Sequence, residues 1–243
     1  MTGFFDIHTH ILPNIDDGSK SLEMTKEMLQ MEYKDGVRVI YATSHFRRDM
    51  FEPRLEKVME KYEEVKQLAE NIGEEGIKVL IGCEFHANMD MVETLNKKER
   101  PTMGDTRCVL VEFKPNSEKT FIKERCYALL SHGYQPIIAH IERYEKCRKD
   151  IGFVEELYDM GCYIQINSQA VLGEDGFLLK QFCKKLMKYD LVHFIATDAH
   201  NTTSRKPTLG KCAEYLNKHM GEAYTEKILI HNPRKYILLE KSR

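Results

Sequence analysis

The sequence predicts an α/β domain whose parallel strands close, or nearly close, into a barrel. Seven short runs are rich in Val, Ile, Leu or aromatic residues, and longer amphipathic stretches separate them. Strands that alternate with helices form parallel sheets through right-handed crossovers. A chain of 243 residues is long enough for one such barrel, so we expect a single domain over residues 1–243.

The seven runs have the length and composition of β-strands. They cover residues 4–11, 37–43, 77–83, 108–113, 135–140, 162–167 and 193–197. An open doubly wound sheet is the alternative architecture. The chain carries neither a G-x-G-x-x-G motif nor a P-loop, which are the usual nucleotide-binding signatures of that alternative.

The stretches between the runs have the pattern of helices. Ser19 or Ser21 is placed to cap the first helix, which should end near Gly36. Pro53 should open the second, because apolar residues follow it at helical spacing as far as Leu68. Four more helices are predicted at 121–130, 153–160, 177–187 and 209–216, which completes the alternation.

Composition excludes several classes of protein. The formal net charge of -2 argues against a strongly basic nucleic-acid binder. No apolar run approaches the roughly 18 residues that span a bilayer, and residues 1–10 lack the features of a secretory signal. We therefore expect a cytoplasmic protein that neither binds nucleic acid nor inserts into a membrane. The seven cysteines form no C-x-x-C pair, which predicts reduced thiols in the core.

Every predicted strand ends in, or runs into, a polar side chain. These side chains are His8, His10, His45, Glu84, Glu112, His140, Asn167, Asp198 and His200. Parallel α/β barrels hold their active sites at this carboxyl end. Successive residues of a strand point to opposite faces, so His8 and His10 share one face. Asp6 lies on the same face and is a candidate hydrogen-bond partner for the histidine ligands. Charged groups at the ends of apolar strands are costly unless they are paired or metal-bound, so the ring indicates a metal site.

Single members of this ring are weak evidence. One H-x-H motif can arise by chance among ten histidines, and a lone His45 or His140 is more often a hydrogen-bonded core or surface residue. Glu112 is more informative, because a carboxylate inside Val-Leu-Val-Glu-Phe is rarely buried unpaired. The joint pattern therefore carries the prediction. Five histidines fit no such ring and are taken as structural or surface residues: His86, His132, His193, His219 and His231.

Eight short segments carry a family resemblance. They are D-I-H-T-H at 6–10, D-D-G at 16–18, T-S-H at 43–45, G-C-E at 82–84, E-F at 112–113, A-H-I-E-R-Y at 139–144, Q-I-N-S at 165–168 and T-D-A-H-N at 197–201. In these segments the chain resembles the PHP (polymerase and histidinol phosphatase) superfamily. Within it, the chain is similar to the bacterial protein-tyrosine phosphatases of capsule and exopolysaccharide operons, which M-F-E at 50–52 and N-P-R-K at 232–235 also match.

This resemblance implies a distorted (β/α)7 barrel of the TIM-like kind that holds three divalent metal ions. One ion would take His8, His10, Glu84 and Asp198. A second would take Glu84, Glu112 and His140, and a third Asp17, His45 and His200. Many other PHP proteins place histidine where this chain has Asp17 or Glu112. The added carboxylates favour Mn²⁺, with Fe or Zn as alternatives.

The resemblance also implies an activity, namely hydrolysis of phosphotyrosine on a protein, in particular the tail of a cognate bacterial tyrosine kinase. In the mechanism we hypothesise, a metal-activated hydroxide attacks phosphorus in line. Arg143 and Arg205 would bind the phosphate. Asp198 or His200 would be the candidate acid for the leaving group, although both are also implied ligands. No cysteine is followed by Arg six positions later, which argues against a cysteine phosphatase.

Three other functions stay open at this point. The chain could be a small-molecule phosphatase, such as one acting on histidinol phosphate, or a phosphodiesterase like the PHP domains of polymerases. It could also be a degenerate PHP domain that only binds, although all nine implied ligand positions are filled.

Overall fold

The strands of this protein form two curled sheets in which every pair of neighbours is parallel. We describe a computed structural model, which covers residues 3–104 and 106–238. The strands are β1 (Phe4–Thr9), β2 (Val37–Ala42), β3 (His45–Phe46), β4 (Lys78–Ile81), β5 (Glu84–His86), β6 (Cys108–Glu112), β7 (Gln135–Ile138), β8 (Tyr163–Asn167) and β9 (Phe194–Ala196). One sheet has the order β1-β2-β4 and the other β3-β5-β6-β7-β8-β9.

The two sheets meet at both of their edges. The chain of β2 continues into β3 after two residues, and β4 continues into β5 in the same way. On the other side, Thr9 forms a parallel bridge with Ala199, and the N–H of Asp198 donates to the carbonyl of His8 at 2.8 Å. All seven predicted strands are present, each shortened by one to three residues. The short strands β3 and β5 are additions that the prediction did not contain.

Helices follow the strands as the hydrophobic spacing predicts. They are α1 (Leu22–Lys34), α2 (Leu55–Ala69), α3 (Met91–Asn96), α4 (Lys119–Ser131), α5 (Glu145–Lys149), α6 (Ile151–Asp159), α7 (Ser168–Leu172), α8 (Phe177–Lys188), α9 (Leu209–Met220), α10 (Glu222–Glu226) and α11 (Asn232–Tyr236). Of the two candidate caps for α1, Ser21 is the one used, and its side chain accepts from the N–H of Met24. Helix α2 begins at Leu55 because Arg54, just after Pro53, is still extended.

Five short helices were not predicted, namely α3, α5, α7, α10 and α11. None is longer than six residues, so none repeats an apolar position often enough to show a helical period. No helix in the described ranges has both the length and the apolar character needed to cross a membrane.

Both faces of the strands are buried, as expected for parallel sheets covered by helices. In β2, for example, Ile40 belongs to a large apolar cluster between the strands and the helices. Its neighbours Val39 and Tyr41 belong to a smaller cluster with Leu110 and Ile137, on the other face of the strands. The apolar packing on both faces fixes the strand positions, and the polar side chains at the carboxyl ends are therefore held in place.

Candidate metal centre

Four buried side chains from three separate strand ends converge on one point. We call His8, His10, Glu84 and Asp198 the acceptor cluster. The Nε2 atoms of His8 and His10 each lie 3.2 Å from Oε2 of Glu84, and they lie 3.5 and 3.4 Å from Oδ1 of Asp198. The two Nε2 atoms are themselves 3.3 Å apart. All four side chains are essentially inaccessible to solvent.

Hydrogen bonds to the Nδ1 atoms of His8 and His10 determine that Nε2 of each ring faces the centre of this cluster. Nδ1 of His10 lies 2.8 Å from Oδ2 of Asp16, and Nδ1 of His8 lies 3.3 Å from Oε1 of Gln165. Both oxygens are acceptors, so each Nδ1 carries a proton, and Nε2 presents a lone pair to the cluster whenever the ring is neutral. Among the residues that the structure describes, Oε2 of Glu84 and Oδ1 of Asp198 also have no hydrogen-bond partner.

Four lone pairs that face one another in a buried site need a positive charge between them. Four ligands at about 2.1 Å from a tetrahedral cation would lie roughly 3.4 Å from each other, which matches the observed separations. Burial lowers the pKa of His10, but the Asp16 carboxylate outweighs burial and raises it. Without a cation, a proton on His10 offsets part of the repulsion, and metal binding would release it. The donor set therefore fits a divalent cation.

A second group lies beside the first, towards solvent. Nε2 of His45 and Nε2 of His200 each lie 3.4 Å from Oδ1 of Asp17, whose side chain is about half exposed. Nδ1 of His200 donates to the backbone carbonyl of Asp198 at 2.8 Å, so its Nε2 also presents a lone pair. Burial lowers the pKa of His200 to about 4, which keeps the ring neutral and able to bind a metal.

A third group surrounds the other oxygen of Glu84. Oε1 of Glu84 lies 2.8 Å from Nε2 of His140, which is 3.8 Å from Oε1 of Glu112. Nδ1 of His45 lies 3.0 Å from Oε2 of Glu84 and 4.0 Å from Oε2 of Glu112. Burial and the Glu84 carboxylate raise the pKa of Glu112 to about 7. Glu84 thus lies between all three groups, and His45 contacts two of them.

The structure brings together all nine residues that the sequence and the resemblance indicated as ligands. Their positions are observed, and their roles as ligands stay predictions. Two of them, His140 and Asp198, have backbone φ angles of 31° and 53°, in the left-handed region that non-glycine residues seldom adopt. Such strained backbone angles persist only where surrounding contacts hold the residue in place, and they occur most often at functional sites.

Two arginines bind the oxygen of Asp198 that faces away from the acceptor cluster. Arg143 Nη1 and Arg205 Nη2 each donate to Oδ2 of Asp198 at 2.8 Å, and Asn167 Nδ2 donates to it at 3.0 Å. Burial alone would raise the pKa of Asp198, but Arg143 and His8 hold it well below its usual range. Both arginine side chains remain about one-third exposed, at 31% and 33%. They line a cavity of about 240 Å³ together with several of the proposed ligands. The resemblance implies that these arginines bind phosphate, so we call it the phosphate cavity.

Sequence reasoning missed two supporting residues, Asp16 and Gln165. Asp16 accepts from Nδ1 of His10 and from the N–H of His45, both at 2.8 Å. Gln165 accepts from the N–H of His140 at 2.7 Å as well as from His8. The D-D-G motif contained the first signal, but the prediction took Asp17 alone from it. For Gln165 the signal was its position two residues before Asn167, which places both side chains on the same face of the strand.

The supporting role expected of Asp6 takes a different form. Its carboxylate accepts from the backbone N–H of His8 at 3.3 Å and from the N–H and hydroxyl of Thr197. It contacts no imidazole ring. Asp6 therefore links β1 to the end of β9 through the backbone, and Gln165 orients the His8 ring instead.

The cysteines have no part in this site. All seven are buried and form no disulfide, which confirms the predicted core thiols. Burial raises the pKa of Cys83, the nearest in sequence to a ligand, to about 12. The thiol is therefore protonated at neutral pH and is not a nucleophile.

Comparison with known proteins gives a consistent assignment. Residues 4–238 match the family model for capsular polysaccharide synthesis proteins CpsB/CapC. The chain is 38% identical to the tyrosine-protein phosphatase CpsB of Streptococcus pneumoniae, over 96% of this chain and 98% of that protein. It is 32% identical to the tyrosine-protein phosphatase YwqE of Bacillus subtilis, over 89% and 85% of the two chains.

Solved structures agree with this assignment. One match comes from the crystal structures of YwqE from Bacillus subtilis and CpsB from Streptococcus pneumoniae, described as metal-dependent tyrosine phosphatases. Its TM-score is 0.84 at 30% identity, covering 91% of this chain and 89% of that one. A histidinol phosphate phosphatase from Lactococcus lactis matches with a TM-score of 0.59 at 18% identity, over 90% and 94% of the chains, which shows a shared fold alone. The chain therefore belongs to the CpsB/CapC family of capsular polysaccharide synthesis proteins.

Proposed function

We propose that this chain is a metal-dependent protein-tyrosine phosphatase. One observation carries the proposal: two partly exposed guanidinium groups meet on Asp198, directly beside a buried cluster of acceptors that fits a divalent cation. A cation site next to paired arginines suits a substrate with a doubly charged phosphate group. The tyrosine phosphatases among the relatives support the choice of phosphotyrosine.

Bound divalent cations would supply an activated water and would neutralise charge on the phosphate oxygens. The protein holds them through the nine proposed ligands: His8, His10, Asp17, His45, Glu84, Glu112, His140, Asp198 and His200. Arg143 and Arg205 each have further N–H groups beyond the one that binds Asp198, and these can donate to phosphate. Asp198 positions both arginines through one oxygen and faces the acceptor cluster with the other.

The leaving group needs little acid help from the protein. A tyrosine phenolate has a pKa near 10, so it departs more readily than an alkoxide. The arginines keep Asp198 ionised, and burial keeps His200 neutral. We therefore assign Asp198 and His200 to binding and positioning rather than to proton donation. Met50 and Phe51 line the mouth of the phosphate cavity, and the ring of Phe51 stacks on His45 at 5.4 Å, so an aromatic substrate would meet an apolar edge.

The finer parts of the proposal follow the resemblance. We infer three cations, with Mn²⁺ favoured over Fe or Zn because the ligand set is rich in carboxylates. We also infer that the two sheets form one distorted (β/α)7 barrel in a single catalytic domain over residues 1–243. The Thr9–Ala199 bridge supports this inference. A cytoplasmic location and a bacterial tyrosine kinase tail as the substrate stay predictions.

The deciding experiment compares substrates and metals. Purified protein is given a phosphotyrosine peptide, the matching phosphoserine peptide and histidinol phosphate, each with Mn²⁺ and with a chelator. We expect Mn²⁺-dependent release of phosphate with clear preference for the phosphotyrosine peptide. A preference for histidinol phosphate would replace this proposal with a small-molecule phosphatase, and turnover that survives chelation would remove the metal from it.

A further inference from the structure

A second, basic groove lies next to the phosphate cavity. It has a volume of about 490 Å³, and Arg47 lines both it and the phosphate cavity. The two cavities therefore adjoin at Arg47. Its walls include Lys114 and Ser117, from the segment that follows the Glu112 strand, and His86 at the end of the Glu84 strand.

Two positive charges in this groove lack a negative partner. Arg48 pairs with Glu52 at 2.9 Å, and Glu118 pairs with Lys146 at 3.0 Å, so these groups are neutralised locally. Among the described residues, no carboxylate lies within ion-pair distance of Arg47 or Lys114.

Arg47 and Lys114 come from different segments, just after β3 and β6, and both line this groove. Their charges therefore make the groove positive, and neither the metal centre nor the arginines of the phosphate cavity account for this charge.

The remaining walls suit a peptide chain. Phe121 and Ala87 give the groove an apolar side, and the Phe121 ring packs edge-on against Phe113 at 6.3 Å. Phe113 directly follows Glu112, so this wall is anchored to a strand that carries a proposed ligand. The hydroxyl of Ser117 adds a polar group at the edge.

We propose that this groove binds acidic side chains that flank the phosphotyrosine of the substrate protein. The groove would thereby make the enzyme select phosphotyrosines in acidic segments. The inference rests on the proposed function, because the phosphate cavity must hold the phosphotyrosine while its neighbours lie in the groove. Complementary charges at the edge of a binding site increase specificity and the rate of encounter, and added salt weakens both effects.

The test measures binding without turnover. Fluorescent peptides carry a non-hydrolysable phosphonate analogue of phosphotyrosine, flanked on either side by Glu or by Gln, and anisotropy with Mn²⁺-loaded protein gives Kd. We expect the Glu peptide to bind about tenfold more tightly at low salt, which is what two partly exposed ion pairs would supply. Lys114→Glu should abolish or invert this preference. Lys218→Glu, the same charge change on the exposed face of α9, should preserve it.

Three results would overturn the proposal: equal Kd values for the two peptides, an equal loss for both peptides in Lys114→Glu, or no binding of either peptide. A small aryl phosphate, which cannot reach the groove, should be hydrolysed equally by wild type and Lys114→Glu. If wild type hydrolyses neither aryl phosphate nor phosphotyrosine peptide, the proposed function fails. The Kd comparison would still decide whether the groove recognises acidic flanks.

Discussion

Histidines at the two ends of the strands differ in what their rings face. His193 lies just before β9, where its Nδ1 accepts the N–H of Ile164 at 3.1 Å and its ring lies 4.9 and 4.8 Å from those of Tyr158 and Tyr163. Burial lowers its pKa to about 4, so it is a neutral, satisfied core residue. His8, at the carboxyl end, faces acceptors instead.

The difference shows that burial alone does not identify a metal ligand. His193 directs its acceptor atom at a donor, whereas His8 and His10 direct theirs at carboxylates and at each other. A neutral imidazole satisfies the first arrangement by itself, and only a cation or a proton satisfies the second. Four experiments test this contrast, beginning with the one for which we expect the largest effect.

Glu84→Gln should have the largest effect, because this carboxylate lies between all three groups of ligands. The amide keeps the shape but removes the charge, so we expect kcat/KM to fall by about 10³-fold or more and bound metal to decrease. Elemental analysis and steady-state kinetics measure the two changes. Glu222→Gln, on the exposed side of α10, is the matched control. Full metal content in the Glu84 variant would contradict the proposed bridging position.

Arg205→Ala should impair turnover and leave the metal in place, since Arg205 is not itself a proposed ligand. Its side chain only pairs with two of them, with Asp198 at 2.8 Å and with Asp17 at 3.8 Å. We expect kcat/KM to fall by about 10²-fold, as when a charged group that stabilises a transition state is removed. Arg205→Lys should recover only part of this loss, because lysine cannot bind phosphate through two parallel hydrogen bonds. Wild-type activity in the alanine variant would show that Arg205 does not bind the phosphate.

Asp16→Asn tests whether the hydrogen bond between Nδ1 of His10 and Asp16 contributes to metal affinity. The donors from His10 and His45 both meet Oδ2 of Asp16, and the N–H of Gly18 meets Oδ1. An amide has one oxygen and no charge, so its NH₂ group must face one of these donors, and we expect metal affinity to fall about 10-fold to 100-fold. Calorimetric titration with Mn²⁺ measures this affinity. Asp159→Asn, exposed at the end of α6, should bind Mn²⁺ as wild type does. An unchanged affinity in Asp16→Asn would mean that packing alone orients His10.

His193 should influence only stability, and only in acid. Its pKa is about 4 in the folded protein and near 6.5 when unfolded, so the unfolded chain binds the extra proton between these values. Stability from the neutral ring is present above pH 6.5 and is lost as the pH falls towards 4, by roughly 1–2 kcal/mol. His193→Asn keeps an acceptor but does not titrate. Denaturation of metal-free protein from pH 4 to 7 should show a flatter profile for the variant, and parallel profiles would contradict this account.

The sequence by itself determined the order of strands and long helices along the chain, and it indicated most residues of the candidate metal site. Strand–helix alternation is a local pattern, and so is the polar residue at the end of each run. Because parallel strands bring their carboxyl ends together, local positions such as His8, Glu84 and Asp198 were enough to predict convergence. The resemblance assigned roles to Asp17, Arg143 and Arg205.

Only the tertiary structure decided how those residues act on one another. The pairing of β3 with β5 places His45 beside Glu84, and Gln165 of β8 binds the ring of His8 on β1. Such contacts join residues far apart in the chain, so no local pattern shows them. The same holds for the basic groove, where Arg47, His86 and Lys114 come from three separate segments. Which charges are neutralised depends on distances between side chains, and these exist only once the chain has folded.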